Sequence, residues 1–471
     1  MPCPRGWRRP SGASTSGREG ATLRNPSPGF SGGTSYTNGL PPARPVRHNA
    51  PLLKWSGIGM QPTHHAPADI KAITSLRFFA AFAVLLLHYR DMFGPLEPWV
   101  LRGIVGGQYG VTFFFILSGF ILTYRYQDWF ETGVQAGSFW RFQRFRFARI
   151  YPIYVLGLLL DTPWHVWERA HAGAFAAQGQ GQMFFASWLL NLLGLQAWIP
   201  SVPFAMFWNT PAWSVAAEFF FYATFPFVCA WLCRWKPGKR TLFAFYLAVA
   251  AGGIALYAAV IHVLTYVTPV ADETRYIAMV YSPILRYSEF LCGCLAGRWF
   301  VQSLRGAPGF GLGVLKSQGW RNLAIVVSLA LVAMRIWSGD YTGPSAELWL
   351  LDVSAKYGAY IAPFTILILA CASGRTFLSP LLERSWMVTL GEASYALYII
   401  HWSFLSFQWL GFLGEYNTIP VHVLMLLTTV GASVLCYRFI EVPARRRLRG
   451  QRSESAPSSA LTGHSPAAMP S

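Results

Sequence analysis

Charged residues are scarce in this chain of 471 amino acids: they make up 12%, about half the share usual in a soluble domain. That scarcity excludes an ordinary water-soluble fold. Cysteine is rare too, with seven residues and neither a CxxC pair nor the Cys/His spacing that holds zinc, so no metal site is expected. Acids are outnumbered 20 to 38 by lysine and arginine, and a net charge of +18 on its own would suit a nucleic-acid binder. The distribution of the charge excludes that partner. The first 68 residues and the tail after Val442 carry +11 of it, and much of the rest lies in short loops between apolar runs, as it does in membrane proteins. An internal repeat of the kind found in many transporters is also missing.

What the chain does have is hydrocarbon: 53% of its residues are apolar and 16% aromatic. A bilayer crossing needs about 20 mostly apolar residues. Candidate crossings fall at 71–90, 109–126, 147–161, 211–232, 241–264, 278–299, 322–337, 357–372, 391–411 and 419–440. The expected fold is therefore all-α, a polytopic bundle of about ten transmembrane helices. An eleventh stretch, 183–199, is short and carries Asn191 and Gln196. It reads as re-entrant or interfacial, because a full crossing there would put the basic RWKPGKR loop at 234–240 outside, against the positive-inside rule. The expectation is a multi-pass protein of the cell (inner) membrane with both termini cytoplasmic.

Three domains are expected. Residues 1–68 are rich in Gly, Pro, Ser and Arg without hydrophobic periodicity, a composition that cannot bury enough surface to fold. They read as a disordered basic tail, as a segment like an organelle transit peptide, or as untranslated sequence ahead of a start at Met60. Residues 69–447 form the membrane domain, and 448–471 a second disordered, cytoplasmic tail.

Ionisable groups inside spans are functional candidates by default, to be weighed against snorkelling at a helix end. In LRFFAAFAVLLLHY, Arg77 and His88 stand eleven residues apart, close to three helical turns, so they share one face roughly 16 Å apart along the axis. In WRFQRFRFARIYPIY, Arg141 and Arg144 read as positive-inside anchors. Arg146 and Arg149 are i, i+3 neighbours entering the third span, and arginine pairs suit phosphate groups. Glu218 lies about two turns into the fourth crossing with Ser214 one turn before it. Arg286 and Glu289 stand three apart and could neutralise each other, and His401 sits in the middle of its span.

Taken in order, these residues resemble the acyltransferase-3 family of integral-membrane O-acyltransferases. The likeness rests on Arg77-x10-His88, the GVTFFFILSGFILT block around Ser118 and Gly119, and the Arg146-x-x-Arg149 pair. The PAWS…E…FFY block, SYALYIIHW and a closing E-x-P complete it, from about residue 69 to 447. One departure is visible: Ala216 stands where members often carry a second serine. The resemblance implies a bundle of about ten helices that moves an acyl group, commonly acetyl from acetyl-coenzyme A, onto a hydroxyl of a sugar, glycan or lipid. It ties the first-span histidine and arginine and the Arg-x-x-Arg pair to activity.

The expected chemistry follows. Acyl transfer to an alcohol needs a base and stabilisation of the developing oxyanion. His88 is the expected base, oriented by Glu218, while Arg77, Arg146 and Arg149 hold the phosphates of the donor. The pantetheine arm lies along the face between Arg77 and His88. The expected partners are membrane lipid, acyl-coenzyme A as substrate, and a glycan or lipid-linked sugar acceptor, with no bound cofactor and no nucleic acid. The rival is a transporter or flippase of a saccharide or lipid, which also needs ionisable groups within the membrane.

Overall fold

A computed structural model describes residues 70–171, 179–268, 270–306, 312–338, 358–407 and 418–449. The expected tail at 1–68, a start at Met60 and nearly all of the tail at 448–471 lie outside these residues. Among the described residues the regular structure is entirely helical. In chain order the helices are α1 (Lys71–His88), α2 (Pro98–Val105), α3 (Gly110–Tyr126), α4 (Ala136–His171), α5 (Gln180–Leu192) and α6 (Val202–Ala205). There follow α7 (Trp213–Trp235), α8 (Lys239–His262), α9 (Asp272–Val280), α10 (Tyr287–Leu304) and α11 (Gln318–Ser338). Last come α12 (Ile361–Ala372), α13 (Ser379–Leu382), α14 (Ser385–Phe407), α15 (Ile419–Cys436) and α16 (Val442–Arg449).

Among the described residues, six segments are long and apolar enough to cross a bilayer: Lys71–His88, Pro98–Trp129, Thr210–Trp235, Lys239–Val267, Gln318–Ser338 and Ile419–Leu448. Their outward faces carry Leu247, Val326 and Leu427 at 51, 53 and 64% exposure, a liability in water but the natural contact with lipid tails. The other four expected crossings also fall on helices, α4, α10, α12 and α14, which miss that standard in length or apolar content.

Three boundaries differ from expectation for local reasons. Helix α4 starts at Ala136, ahead of the expected 147, because the arginines at 141, 144 and 146 are good helix formers and extend it. The expected span 278–299 is broken. Helix α9 ends at Val280, and α10 starts only at Tyr287 with Arg286 as its N-cap residue. Pro283 disfavours the helical conformation of the residue before it, which interrupts the run. The stretch 183–199 does not form one rod either. Helix α5 spans 13 residues, about 20 Å, short of a hydrocarbon core about 30 Å thick. Gly194, at φ +68°, closes it, with the Leu195 N–H donating to the Leu190 carbonyl at 2.9 Å. The polar residues that made this segment ambiguous hold the turn in place. Asn191 donates to the Phe204 carbonyl at 3.1 Å and Gln196 to that of Ala212 at 3.2 Å.

The most extensive packing joins α3 to α10 and α1 to α14. Both contacts depend on glycine, the usual device for close helix approach in membranes. A Cβ on Gly293 of α10 would lie 2.0 Å from the Ile116 carbonyl oxygen of α3, and one on Gly391 of α14 would lie 2.1 Å from that of Thr74 in α1. Gly293→Ala is expected to force α3 and α10 apart at a cost of about 1–3 kcal/mol. Gly252→Ala, where nothing stands within 4 Å of the new methyl, should be neutral or slightly stabilising. Thermal midpoints of the two detergent-purified variants check this, and equal midpoints would contradict the close-approach argument.

Candidate active site

Two cavities occupy the bundle between α1, α3, α7 and α14. The larger, about 160 Å³, is rich in arginine. Its lining includes Arg77 of α1, Arg125 of α3, Arg146 and Arg149 of α4, and Arg445 of α16, against two carboxylates, Glu218 of α7 and Glu392 of α14. The i, i+3 spacing of Arg146 and Arg149 therefore does turn both into one space, and Arg77 from another helix joins them. Arg146 is buried and donates to the Tyr126 hydroxyl at 2.9 Å. Arg445 faces Glu392 at 3.7 Å and Glu441 at 3.4 Å. Arg77 and Arg149 make no side-chain hydrogen bond and no carboxylate contact within 4 Å among the described residues, though Glu392 and Glu441 act on both across the cavity. An excess of positive charge, held on four helices and only partly offset by the carboxylates, suits a ligand with several negative charges.

The smaller cavity, about 70 Å³, is lined by His88, Gln108, Trp213, Tyr276, Tyr281 and Arg286, among others. Tyr281 stacks on Trp213 with ring centroids 4.7 Å apart, giving this space an aromatic wall. Arg286 reaches it as half of a buried ion pair. Its Nη1 lies 3.0 Å from Glu289 Oε1, its Nη2 donates to Thr112 Oγ1 at 3.0 Å, and that hydroxyl donates on to Glu289 at 3.3 Å. The two side chains are only 2 and 3% exposed, so the mutual neutralisation read from their spacing is what the helix arranges. Removing one partner strands a buried charge. Arg286→Leu should cost about 3–5 kcal/mol, and adding Glu289→Leu should recover much of it. A double variant that melts no higher than the single one would contradict this.

The expected continuous channel from Arg77 to His88 is instead two cavities that share Val111 and Tyr398 as walls. Tyr398 is tied across the gap: its hydroxyl donates to the Pro211 carbonyl at 3.0 Å and accepts from Ser214 at 2.9 Å. Ser214, a candidate from its position one turn before Glu218, thus has a visible task in holding that ring.

The expected pairing of Glu218 with His88 does not form. Glu218 makes no hydrogen bond to His88. It lines the arginine cavity and accepts from the Tyr222 hydroxyl, one helical turn on, at 2.9 Å. His88 instead pairs with His401 of α14, Nδ1 to Nε2 at 3.0 Å. Of the candidates, then, Arg77, Arg146, Arg149, Glu218 and Ser214 meet at one cavity. His88 and Arg286 line the other, with His401 and Glu289 directly behind them.

Several lining residues escaped the sequence reading. Glu392 left a usable signal, since it is a carboxylate on the same apolar helix as His401. Tyr222 left one too, at i+4 from Glu218. Arg445 did not, because it sits in a run of basic residues that reads as a tail.

A family profile described as an acyltransferase domain, that of the acyltransferase-3 family, matches residues 70–438. The chain is 27% identical over 418 residues to acyltransferase MdmB of Streptomyces mycarofaciens, covering 84% of this chain and 97% of that protein. It is 24% identical over 397 residues to O-acetyltransferase OatA of Staphylococcus aureus strain NCTC 8325, covering 81% of this chain and 58% of OatA. No solved structure matches the chain.

Proposed function

Because the chain belongs to the acyltransferase-3 family and is a membrane O-acyltransferase, we propose that it moves an acyl group, acetyl first, from acyl-coenzyme A to a hydroxyl of a sugar, glycan or lipid-linked saccharide. The observation that carries this reading is the pair of adjoining cavities, one lined by five arginines and the other by a histidine. Coenzyme A brings a diphosphate and a 3′-phosphate. Arg77 and Arg149, with no protein hydrogen bond to give up, take those charges together with Arg146. Glu218 and Glu392 limit the repulsion among the guanidinium groups. The pantetheine arm passes the Tyr398 wall, which carries the thioester to the histidine cavity.

There His88 Nε2 takes the proton of the acceptor hydroxyl as its oxygen bonds to the thioester carbonyl carbon. The tetrahedral oxyanion collapses, the carbon–sulfur bond breaks, and the leaving thiolate recovers the proton from the His88 imidazolium. An ester and free coenzyme A remain, and no other reactant is needed. The aromatic wall of Trp213 and Tyr281 suits the apolar face of a sugar ring, which favours a saccharide acceptor. The arginine cavity opens to the cytoplasm, where acyl-coenzyme A is found. The basic loops and both termini lie on that side of the cell membrane.

A deletion strain tests the whole reading. Its polysaccharide and lipid should lack an acyl ester that the wild type carries, and plasmid-borne protein should restore it. Identical ester profiles, together with no acceptor-dependent coenzyme A release by the purified protein, would remove the proposal.

A further inference from the structure

The base proposed above needs one particular tautomer, and the structure contains a device that selects it. His401 lies wholly buried on α14. Its Nδ1 stands 3.2 Å from the Leu397 carbonyl, four residues back on the same helix. A carbonyl only accepts, so that nitrogen carries the hydrogen. The other ring nitrogen, Nε2, is then a lone pair, and it faces His88 Nδ1 at 3.0 Å. Two lone pairs at that separation would repel, so His88 must bear its hydrogen on Nδ1 and donate it. His88 Nε2 then keeps its lone pair, and the ring lines the histidine cavity. The chain runs from a backbone carbonyl through one imidazole to the next and ends on a basic nitrogen at the place where an alcohol would arrive.

The geometry points to His401 as the positioning residue that fixes the working tautomer of His88, the task first assigned to Glu218. This rests on the reading of His88 as the base. The pairing is well braced. Tyr89, next to His88, donates from its hydroxyl to the His401 backbone carbonyl at 3.2 Å and lies 3.3 Å from the Thr429 hydroxyl of α15. The edge of Trp402 meets the His88 ring, with centroids 5.3 Å apart. Gly391 allows α1 and α14 to approach closely one end before, and the two run in the same direction, so their histidines meet at the far end. A neutral imidazole acceptor also does what a carboxylate would do without placing a net charge in the apolar bundle. When His88 becomes an imidazolium, its Nδ1–H still has an acceptor.

Two independent measurements test this. In the first, His401→Phe and His401→Gln are made in the wild type and in His88→Ala. Loss of the acceptor in His401→Phe should lower kcat by about 10- to 100-fold with KM for acetyl-coenzyme A unchanged. His401→Gln, whose amide oxygen can accept from His88, should recover much of the loss. In the His88→Ala background neither change should lower the residual rate further, because the two residues act as one unit. Wild-type kcat in His401→Phe, or an added loss on top of His88→Ala, would overturn the assignment.

In the second, which needs no folded His401 variant, imidazole ¹⁵N solid-state NMR of the intact protein reads each ring, with His88 assigned by its absence in His88→Ala. Protonated Nδ1 and bare Nε2 on His88 are expected, and the opposite tautomer overturns the inference. Full turnover by His88→Ala would instead count against the base itself. A dead His88→Ala beside a normal His401→Phe would count only against this inference.

Discussion

His88→Ala is expected to lower kcat for acceptor-dependent release of coenzyme A by about 10²- to 10⁴-fold, the usual contribution of a positioned general base. Binding of acyl-coenzyme A should stay close to wild type, because the charged part of the donor is assigned to a different cavity, lined by residues of α3, α4, α7 and α14 as well as by Arg77. That separation is what makes the prediction sharp. A histidine that merely filled space would lower activity and donor binding together through a disturbed bundle. Glu218→Gln gives the contrast. As a partner of Tyr222 among the arginines, it should affect donor affinity more than kcat. A rate loss as deep as that of His88→Ala would return Glu218 to the role of orienting the base. Initial rates over a range of acetyl-coenzyme A concentrations measure both quantities for all three proteins.

Arg77→Ala with Arg149→Ala carries the second large effect. Each charge-assisted hydrogen bond to a phosphate contributes about 1.5–3 kcal/mol, so each arginine should be worth about 10- to 100-fold in donor affinity. The pair should raise the KM for acetyl-coenzyme A by at least about 100-fold. Lysine at either position should recover only part of this, since a single ammonium cannot make the paired contacts of a guanidinium. Replacement of Arg141, which lies over the Trp129 ring with its guanidinium 4.6 Å from the centroid and lines neither cavity, is the control and should leave KM unchanged. An unchanged KM in the double variant would contradict the assignment of the arginine cavity to the donor. Dephospho-coenzyme A as an alternative donor would show which arginines serve the 3′-phosphate.

The sequence was most legible where periodicity acts within a single helix. Arg146 and Arg149 three apart, and Arg286 and Glu289 three apart, are arranged by helix geometry alone, and the fold places them as that geometry requires. Arg77 and His88, on one face of the first span, each line a cavity. That those cavities are divided was not visible, because the dividing ring, Tyr398, comes from a helix more than 300 residues later in the chain. The same distance concealed the true partner of His88. His401 meets it across 313 residues of sequence, and no local pattern predicts which of the buried polar groups will meet when helices pack. Glu218 looked like the partner because it was the conspicuous carboxylate. Its i+4 tyrosine, a local signal, was the better guide. The broken span at 281–286 was lost for another reason: the apolar content of the segment runs on through the break, and only Pro283 marks it.

In the proposed function the donor's charges occupy one cavity and the reacting bond the other, joined past Tyr398. A cryo-EM structure of the protein with coenzyme A bound tests that division most directly. Phosphate oxygens within hydrogen-bond distance of Arg77, Arg146 and Arg149, with the pantetheine sulfur beyond the tyrosine beside His88, is the predicted result. Coenzyme A bound with its phosphates away from those arginines, or with its sulfur held apart from His88 by an intact wall, would contradict it.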